Sequence, residues 1–370
     1  TIFTRMSALA AEYGAINLSQ GYPDFEAPPA LCEALARAVR DGHNQYAPMA
    51  GLPQLREVLA EQVQRYRGVS CDPDTEITVV PGATEGIFCA VMASIGPGDE
   101  VIVLDPCYDS YAPAISLAGG RAVHVPLLPG AFRPDWQRVE DAVTQRTRMI
   151  MVNSPHNPTG AIFEREDLDA LARIAEEHDL LVCSDEVYEH LVFDGREHHS
   201  VLQWPGLRER SFAHFSFGKT FSVTGWKTGY CVAAPALTSE LRKVHQYVAF
   251  VAVTPVQQAV ADFLATEPGY PGTLPALYQA RRDLFCTAMA ASRFAVTPSA
   301  GTYFQLLDYS GISDEADHRL CESWTREIGI ASIPVSVFYQ HPPRGQQYLR
   351  FCFAKRDDIL LQAAEILCRI

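Results

Sequence analysis

Lysine is scarce in this chain of 370 residues: four lysines (219, 227, 243 and 355) stand against 26 arginines. No basic run occurs, and the net charge is −14. That argues against a general nucleic-acid or anionic-membrane surface and leaves room only for a local cationic pocket. No apolar run approaches the roughly 20 residues that a bilayer crossing needs. The ten cysteines (32, 71, 89, 107, 183, 231, 286, 321, 352 and 368) form no CxxC pair and no cluster. Their apolar settings, such as "LLVCSD" and "GYCVAA", suit buried free thiols in a reducing cytoplasm; disulfides and a metal site are the weaker readings. "EHHS" at 197–200 follows the turn "FDGRE" and reads as a solvated loop rather than a set of metal ligands. Repeats and low-complexity segments are missing too. The first residues, "TIFTRMSALAAEYGA", hold no signal-peptide core, and the lack of a starting methionine leaves room for residues upstream.

What is present is an ordinary globular composition, 48% hydrophobic and 20% charged, long enough for a large domain and a smaller one. From about residue 50, helical and strand patterns alternate. "LPQLREVLAEQVQRYRG" puts Leu55, Val58, Leu59 and Val63 on one face and stops at Gly68. Strands are expected at "EITVV", "DEVIVLD", "RAVHVPL", "RMIMVNSP" and "LLVCSDE", with helices at "PGATEGIFCAVMASI" and "EREDLDALARIAEEHD". Apolar strands alternating with helices predict an α/β fold with a mostly parallel sheet covered on both faces. After the Pro/Gly-rich "ATEPGYPGTLP" (265–275), a long helix and two strands, "GTYFQLLDY" and "QYLRFCFAK", suggest a small α+β domain. The expected division is a large domain over 28–264 and a small one over 265–370. The N-terminal arm, 1–27, shows no sheet unit of its own and is expected to pack with the small domain.

In such sheets ligands bind beyond the carboxyl ends of the strands. Ala83, Thr84, Tyr108, Asn157, Asp185 and Lys219 all fall just after strands. Each alone has a structural reading as a turn, a proline-rich loop or a helix cap. Together they make one device. Lys219, in "SFAHFSFGKTFSVTGWKTGY", supplies an amine in apolar surroundings, which lowers its pKa and frees it for covalent attachment to a carbonyl. Lys227, Ser216 and the amides of Ala83 and Thr84 at a helix start can hold a phosphate dianion. Asp185 offers a buried carboxylate for a pyridine nitrogen. Tyr188 and Asn157 can bond a phenolate oxygen, and Tyr108 offers a flat stacking face. The ligand that matches this set is pyridoxal 5′-phosphate.

The segments "QGYPDF", "QYAPMAGLPQLREVLA", "PGATEG", "DPCYDSY", "NSPHNPTG", "SDEVYEHLVFDG", "SFGKTFSVTGWKTGY" and "YLRFCFAK" resemble, nearly end to end, the class I pyridoxal-phosphate aminotransferases of fold type I. The similarity is greatest to the methionine and kynurenine/glutamine (aromatic) branch. The resemblance implies that Lys219 carries the cofactor, that Asp185 pairs with its ring nitrogen, and that Asn157 and Tyr188 contact its hydroxyl. It implies that Tyr108 stacks on the ring and that Ala83, Thr84, Ser216 and Lys227 hold the phosphate. Tyr46 resembles a tyrosine that reaches the phosphate of a neighbouring subunit, implying a homodimer with shared sites. Arg350 resembles the arginine that binds the substrate α-carboxylate, with Gly21 a main-chain donor to it. Phe3, Tyr22, Phe338 and Tyr339, with Phe250 of the partner subunit, are expected to border the substrate side chain. Lys227 stands where many relatives carry arginine, Ala83 and Glu85 where others carry glycine, and Tyr108 where Phe or Trp is common.

No metal is implied. The expected reaction moves an amino group from methionine or an aromatic amino acid to a 2-oxo acid. A C–S β-lyase acting on cysteine conjugates is the nearest rival. A non-catalytic cofactor-binding module, such as the sensor part of a transcription regulator, would need a DNA-binding domain, for which the chain has neither spare length nor a basic segment. A structural protein with a fossil site is opposed by the complete set of Lys219, Asp185 and Arg350.

Overall fold

A computed structural model describes all 370 residues. The strands Ile77–Val80, Glu100–Asp105, Arg121–Pro126, Thr147–Asn153, Leu181–Asp185, Ser211–Ser216 and Gly229–Ala233 form one seven-stranded sheet. Adjacent pairs are parallel except where Gly229–Ala233 lies antiparallel between Ile77–Val80 and Ser211–Ser216. Six strands therefore run one way and one runs back. The predicted α/β fold with a mostly parallel sheet is what the chain forms. The reversed strand, "GYCVA", was not foreseen.

The near-continuous apolar character of the strands follows from burial on both faces. Ile102, Leu104, Ile150 and Val152 join one core with Leu55, Leu59, Leu168 and Val260. Val101, Val103, Met149 and Met151 point the other way, into a core shared with Ile87, Val91 and Leu241. The predicted helix after residue 52 spans Pro53–Arg67 and ends at Gly68, whose φ of 65° is the left-handed cap that glycine tolerates. A third apolar cluster joins Met6, Leu9 and Leu18 to Tyr278, Phe304, Trp324, Phe351 and Leu360, and also takes in Tyr188, Leu191 and Phe193. Its sheet is four-stranded and antiparallel, with the expected strands observed at Phe304–Asp308 and Tyr348–Cys352 side by side.

Two expectations need correction. Residues 1–27 do contain a sheet unit, since Ile16–Asn17 pairs in parallel with Ile330–Ala331 after the helix Ile2–Tyr13; two residues are too few for a periodic signal. "EHHS" is not a solvated loop throughout: His198 and Ser200 are buried. The cause is Glu186, a fully buried carboxylate that must find donors. It accepts from His198 Nε2 at 2.8 Å, Ser184 Oγ at 2.9 Å and the Val201 amide at 3.1 Å. The cysteines are all unpaired, and seven of the ten are buried; Cys32 is exposed.

The helix Ala83–Ser94 sits close on the sheet because Gly86 has no side chain. A Cβ there would lie 2.9 Å from His214 Nδ1 and 3.2 Å from Val80 Cγ2. His214 is fully buried with neither ring nitrogen bonded, and burial pushes its pKa down to about 3, so it fills this space as a neutral ring. Alanine would gain up to about 1 kcal/mol in helix propensity, while overpacking costs about 1–3 kcal/mol. Gly86→Ala is therefore expected to be destabilising by about 1 kcal/mol, read as a lower urea midpoint with an unchanged m-value.

Candidate active site

The carboxyl ends of the parallel strands converge on a cavity of about 340 Å³. Val80 leads through Gly82 into the helix that begins at Ala83, Asn153 into the loop of Asn157, Asp185 into Tyr188, and Ser216 into the short helix Phe217–Thr220 that carries Lys219. The reversed strand begins at this same edge, Gly229 facing both Val80 and Ser216 in the register, and so brings Lys227 and Thr228 to the cavity as well. Gly21, Ala83, Thr84, Tyr108, Asn157, Asp185, Tyr188, Ser216, Lys219, Lys227 and Arg350 all line it.

Lys219 Nζ donates to Tyr303 Oη at 2.7 Å and to the Gly21 carbonyl at 3.1 Å. The Tyr303 hydroxyl in turn donates to Gly21 O at 2.5 Å. Burial pushes the Lys219 amine down to about 8, with Arg350 and Lys227 adding repulsion and Asp185 opposing. Asp185 moves the other way for the same reason, burial raising it to about 6 against the hydrogen bond from Tyr111. Opposite shifts of an acid and an amine in one low-dielectric cavity are a mark of a functional site.

Arg350 is the largest fully buried side chain of the protein. Nη1 donates to Asn157 Oδ1 at 2.7 Å and Nη2 to the Ser19 carbonyl at 3.0 Å, while Nε has no partner. The guanidinium lies 4.0 Å from the ring centre of Phe304, with Phe338 and Phe3 at 5.2 and 5.3 Å. The other buried arginines are paired with acids: Arg56 with Asp74, Arg67 with Glu189, Arg282 with Asp194 and Asp283. Arg350 has no acid within 4.0 Å, although burial lowers it only to about 10 and it stays charged. A buried cation supported only by neutral acceptors and aromatic faces awaits an anion.

Lys227 is a second cation at the cavity, exposed where Arg350 is buried. It pairs with no acid, holds a left-handed φ of 49°, and its Nζ lies 3.3 Å from where a Gly82 Cβ would stand. Gly82 itself has φ 82° and caps the helix whose first amides belong to Ala83 and Thr84. A positive side chain beside a helix N-terminus is an anion cradle.

Five of the expected residues lie outside the cavity of their own chain, two of them, Tyr46 and Phe250, expected to serve a partner's site. Tyr22 does not line the cavity; its ring lies 4.7 Å from Lys355 Nζ, which donates to the Tyr22 carbonyl at 2.9 Å. Phe338 stands behind the guanidinium, edge-on to Phe3, and Tyr339 is likewise outside the lining. Tyr46 is 82% exposed and packs edge-on against Phe250 at 5.2 Å, with neither in the cavity of its own chain. Sequence reading missed Gln20, Asn153, Tyr303 and Phe304, and Tyr111 behind the wall. Tyr303 and Phe304 sat in a segment read only as a strand. Tyr111 had a usable signal, its spacing of three from Tyr108 at a helix start.

A family model for aminotransferase class I and II matches residues 13–366. The chain belongs to this aminotransferase family. It is 48% identical to the methionine aminotransferase of Escherichia coli, over 99% of this chain and 95% of that one. It is 35% identical to human kynurenine–oxoglutarate transaminase 1, over 96% and 92%. Among solved structures, one reported to identify a methionine aminotransferase function in Escherichia coli superposes with a TM-score of 0.98, covering 100% of this chain and 97% of that chain at 48% identity. The N-succinyldiaminopimelate aminotransferase of Mycobacterium tuberculosis superposes at 0.97, covering 100% and 97% at 41% identity.

For an aminotransferase, the state of the Lys219 amine is the first quantity to check. Because its pKa is depressed, the neutral amine should dominate above about pH 8. Reductive methylation of the cofactor-free protein, followed by peptide mapping, should give a rate for Lys219 with its midpoint near that pH; a midpoint in the ordinary lysine range of about 10.4 would show that the cavity does not desolvate it.

Proposed function

We propose that the protein is a pyridoxal-phosphate-dependent aminotransferase that takes its amino group from methionine or an aromatic amino acid and passes it to a 2-oxo acid. The observation that carries this reading is Arg350, a buried guanidinium without an acid, facing one cavity with Lys219 and Asp185. The residues present fit the cofactor. Lys227 and the helix start at Ala83 suit a phosphate, Asp185 a protonated ring nitrogen, Tyr108 a ring face, and Asn157, whose Oδ1 is taken by Arg350, keeps its amide hydrogens for an oxygen.

Bound there, the cofactor supplies an electron sink for the pair released when the substrate Cα–H bond breaks. Arg350 grips the α-carboxylate with a planar fork and so fixes which Cα bond is presented for cleavage. Lys219, whose amine is neutral above about pH 8, would take the proton from Cα as base and return it, as acid, to the carbon on the far side of the amino nitrogen. Asp185 holds a proton on the ring nitrogen. The aromatic wall of Tyr108, Tyr188 and Phe304 keeps water from these groups.

Substrate choice follows from what borders Arg350. Phe3, Ile87, Val187 and Phe304 are apolar, and no second arginine lines the cavity. Each buried methylene gains about 0.8 kcal/mol, whereas an unpaired distal carboxylate would cost several. The names of the Escherichia coli and human relatives point the same way. The mycobacterial relative, named for a substrate with further carboxylates, supplies the rival.

We further read the protein as a homodimer. Tyr46 and Phe250 lie together, away from their own cavity, beside the exposed Tyr247, Val248 and Val253. An apolar patch of this kind asks for a partner, and Tyr46 and Phe250 would serve the partner's site. The unpaired cysteines support a reducing compartment such as the cytoplasm.

Three measurements test these readings. Borohydride treatment of the cofactor-loaded protein should fix a pyridoxyl group on Lys219, and a label on Lys227, Lys243 or Lys355 would refute the assignment. kcat/KM should rank methionine, phenylalanine and kynurenine above aspartate and N-succinyldiaminopimelate, and Arg350→Ala should lower it about 10²–10³-fold for all of them. Sedimentation should show a dimer, and a fully active monomer would overturn the shared site.

A further inference from the structure

Tyr111 is the first residue of the helix Tyr111–Leu117 and is 2% exposed. Its hydroxyl donates to Asp185 Oδ2 at 2.6 Å, while the Val187 amide reaches Oδ1 at 3.3 Å. Its ring stands edge-on to Tyr108, centroids 5.9 Å apart and planes at 75°. One side chain outside the cavity lining thus touches both the acid at the cavity floor and the aromatic residue on its wall.

We propose that Tyr111 is a positioning residue for the reaction: a fixed hydrogen-bond donor that keeps Asp185 ionised and aimed, and that props Tyr108 at the ring face. This rests on the pyridoxal-phosphate reading above, because the ring nitrogen is what the carboxylate would meet.

The physical case lies in what surrounds Asp185. A buried carboxylate drifts toward its neutral form, and a neutral carboxyl cannot hold a protonated ring nitrogen by charge. Few groups oppose that drift. Lys219 favours the ionised form, and Glu186, one residue along, disfavours it. Glu186 is itself engaged by His198, Ser184 and the Val201 amide. His214, the register partner of Asp185 on the next strand, is neutral. Tyr108, Tyr188 and Cys183 are all pushed up by burial and carry no charge at neutral pH. Arg350, also on the cavity, is engaged by Asn157 and Ser19 rather than by Asp185. The Tyr111 hydroxyl is therefore the one side-chain hydrogen bond that Asp185 receives. Burial also raises Tyr111 well above its ordinary range, so it remains a donor across the working pH.

The purely structural alternative is that Tyr111 fills space beside Met151, His156 and Phe163, with which it lines a small cavity. Tyr111→Phe keeps that volume and removes only the donor. Its test uses the full-length protein, stripped of cofactor, with pyridoxal phosphate titrated from about pH 5.5 to 8.5 and Kd read by fluorescence. Four proteins are compared: wild type, Y111F, D185N and Y111F/D185N. We expect Y111F to weaken binding roughly ten-fold or more near neutral pH, and the acid-side loss of affinity to begin about one pH unit higher. In the D185N background, Y111F should add nothing. Wild-type affinity and profile in Y111F would overturn the proposal, and so would an equal loss in both backgrounds, the mark of a space-filling role. If Y111F does not fold, 3-fluorotyrosine placed at 111, a stronger donor, should move the acid-side loss to lower pH; no movement overturns the proposal. A wild-type protein that binds no pyridoxal phosphate would instead remove the reading on which this one stands.

Discussion

The constraint on which the site depends is that a guanidinium is held in the interior without a counter-charge. Desolvating an ion is costly, and an acid would be the ordinary remedy. Here Arg350 is satisfied by an amide oxygen, one main-chain carbonyl and three aromatic rings. These groups lower the cost without cancelling the charge. The same cavity has Lys227 on its lining without an acid partner and shifts Lys219 toward neutrality, so both Arg350 and Lys227 face it with no acid of the protein bonded to them. In a protein of net charge −14, only one of the forty-four acidic residues, Asp185, lines this cavity.

The sheet makes that concentration of cations possible. Five parallel strands deliver side chains only at their carboxyl ends, one cluster per connection. Reversing a single strand lets the segment before Gly229 arrive at the same edge. Both cavity lysines, Lys219 and Lys227, can then come from one short stretch of chain, leaving Ser211–Ser216 and returning along Gly229–Ala233. This is why two of the four lysines lie eight residues apart. Gly82 and Gly86 let the neighbouring helix descend far enough to join them.

Much of this was legible. The strands Glu100–Asp105, Thr147–Asn153 and Leu181–Asp185 announced themselves as apolar runs ending in turn residues, and the strand-end rule then picked out the residues that line the cavity. What escaped had physical reasons. Gly229–Ala233 is short and begins in a stretch dominated by the lysine motif. The pairing of Ile16–Asn17 has no local signature, since it depends on a strand more than 300 residues away. Tyr303 acts through its hydroxyl from a segment read only as a strand, and Tyr111 through its hydroxyl from a stretch whose spacing from Tyr108 was the one signal. His198 was misjudged because its partner, Glu186, lies twelve residues away with no pattern to pair them. Tyr46 and Phe250 were recognisable only through resemblance, and in one chain they do look like surface.

The segment from Ser19 to Tyr22 gathers cations with its backbone. Its carbonyls accept from Arg350 at Ser19, from Lys219 at Gly21 and from Lys355 at Tyr22. Three cations spread over more than 130 residues of sequence are thereby read by four consecutive residues. Gly21 is restricted in kind, because a Cβ would come within 2.7 Å of Phe304, and so is Ser19, fully buried with its hydroxyl donating to Asn17 Oδ1. Loss or gain of a single residue would throw all three out of phase at once. The segment is thus intolerant of any change in its length.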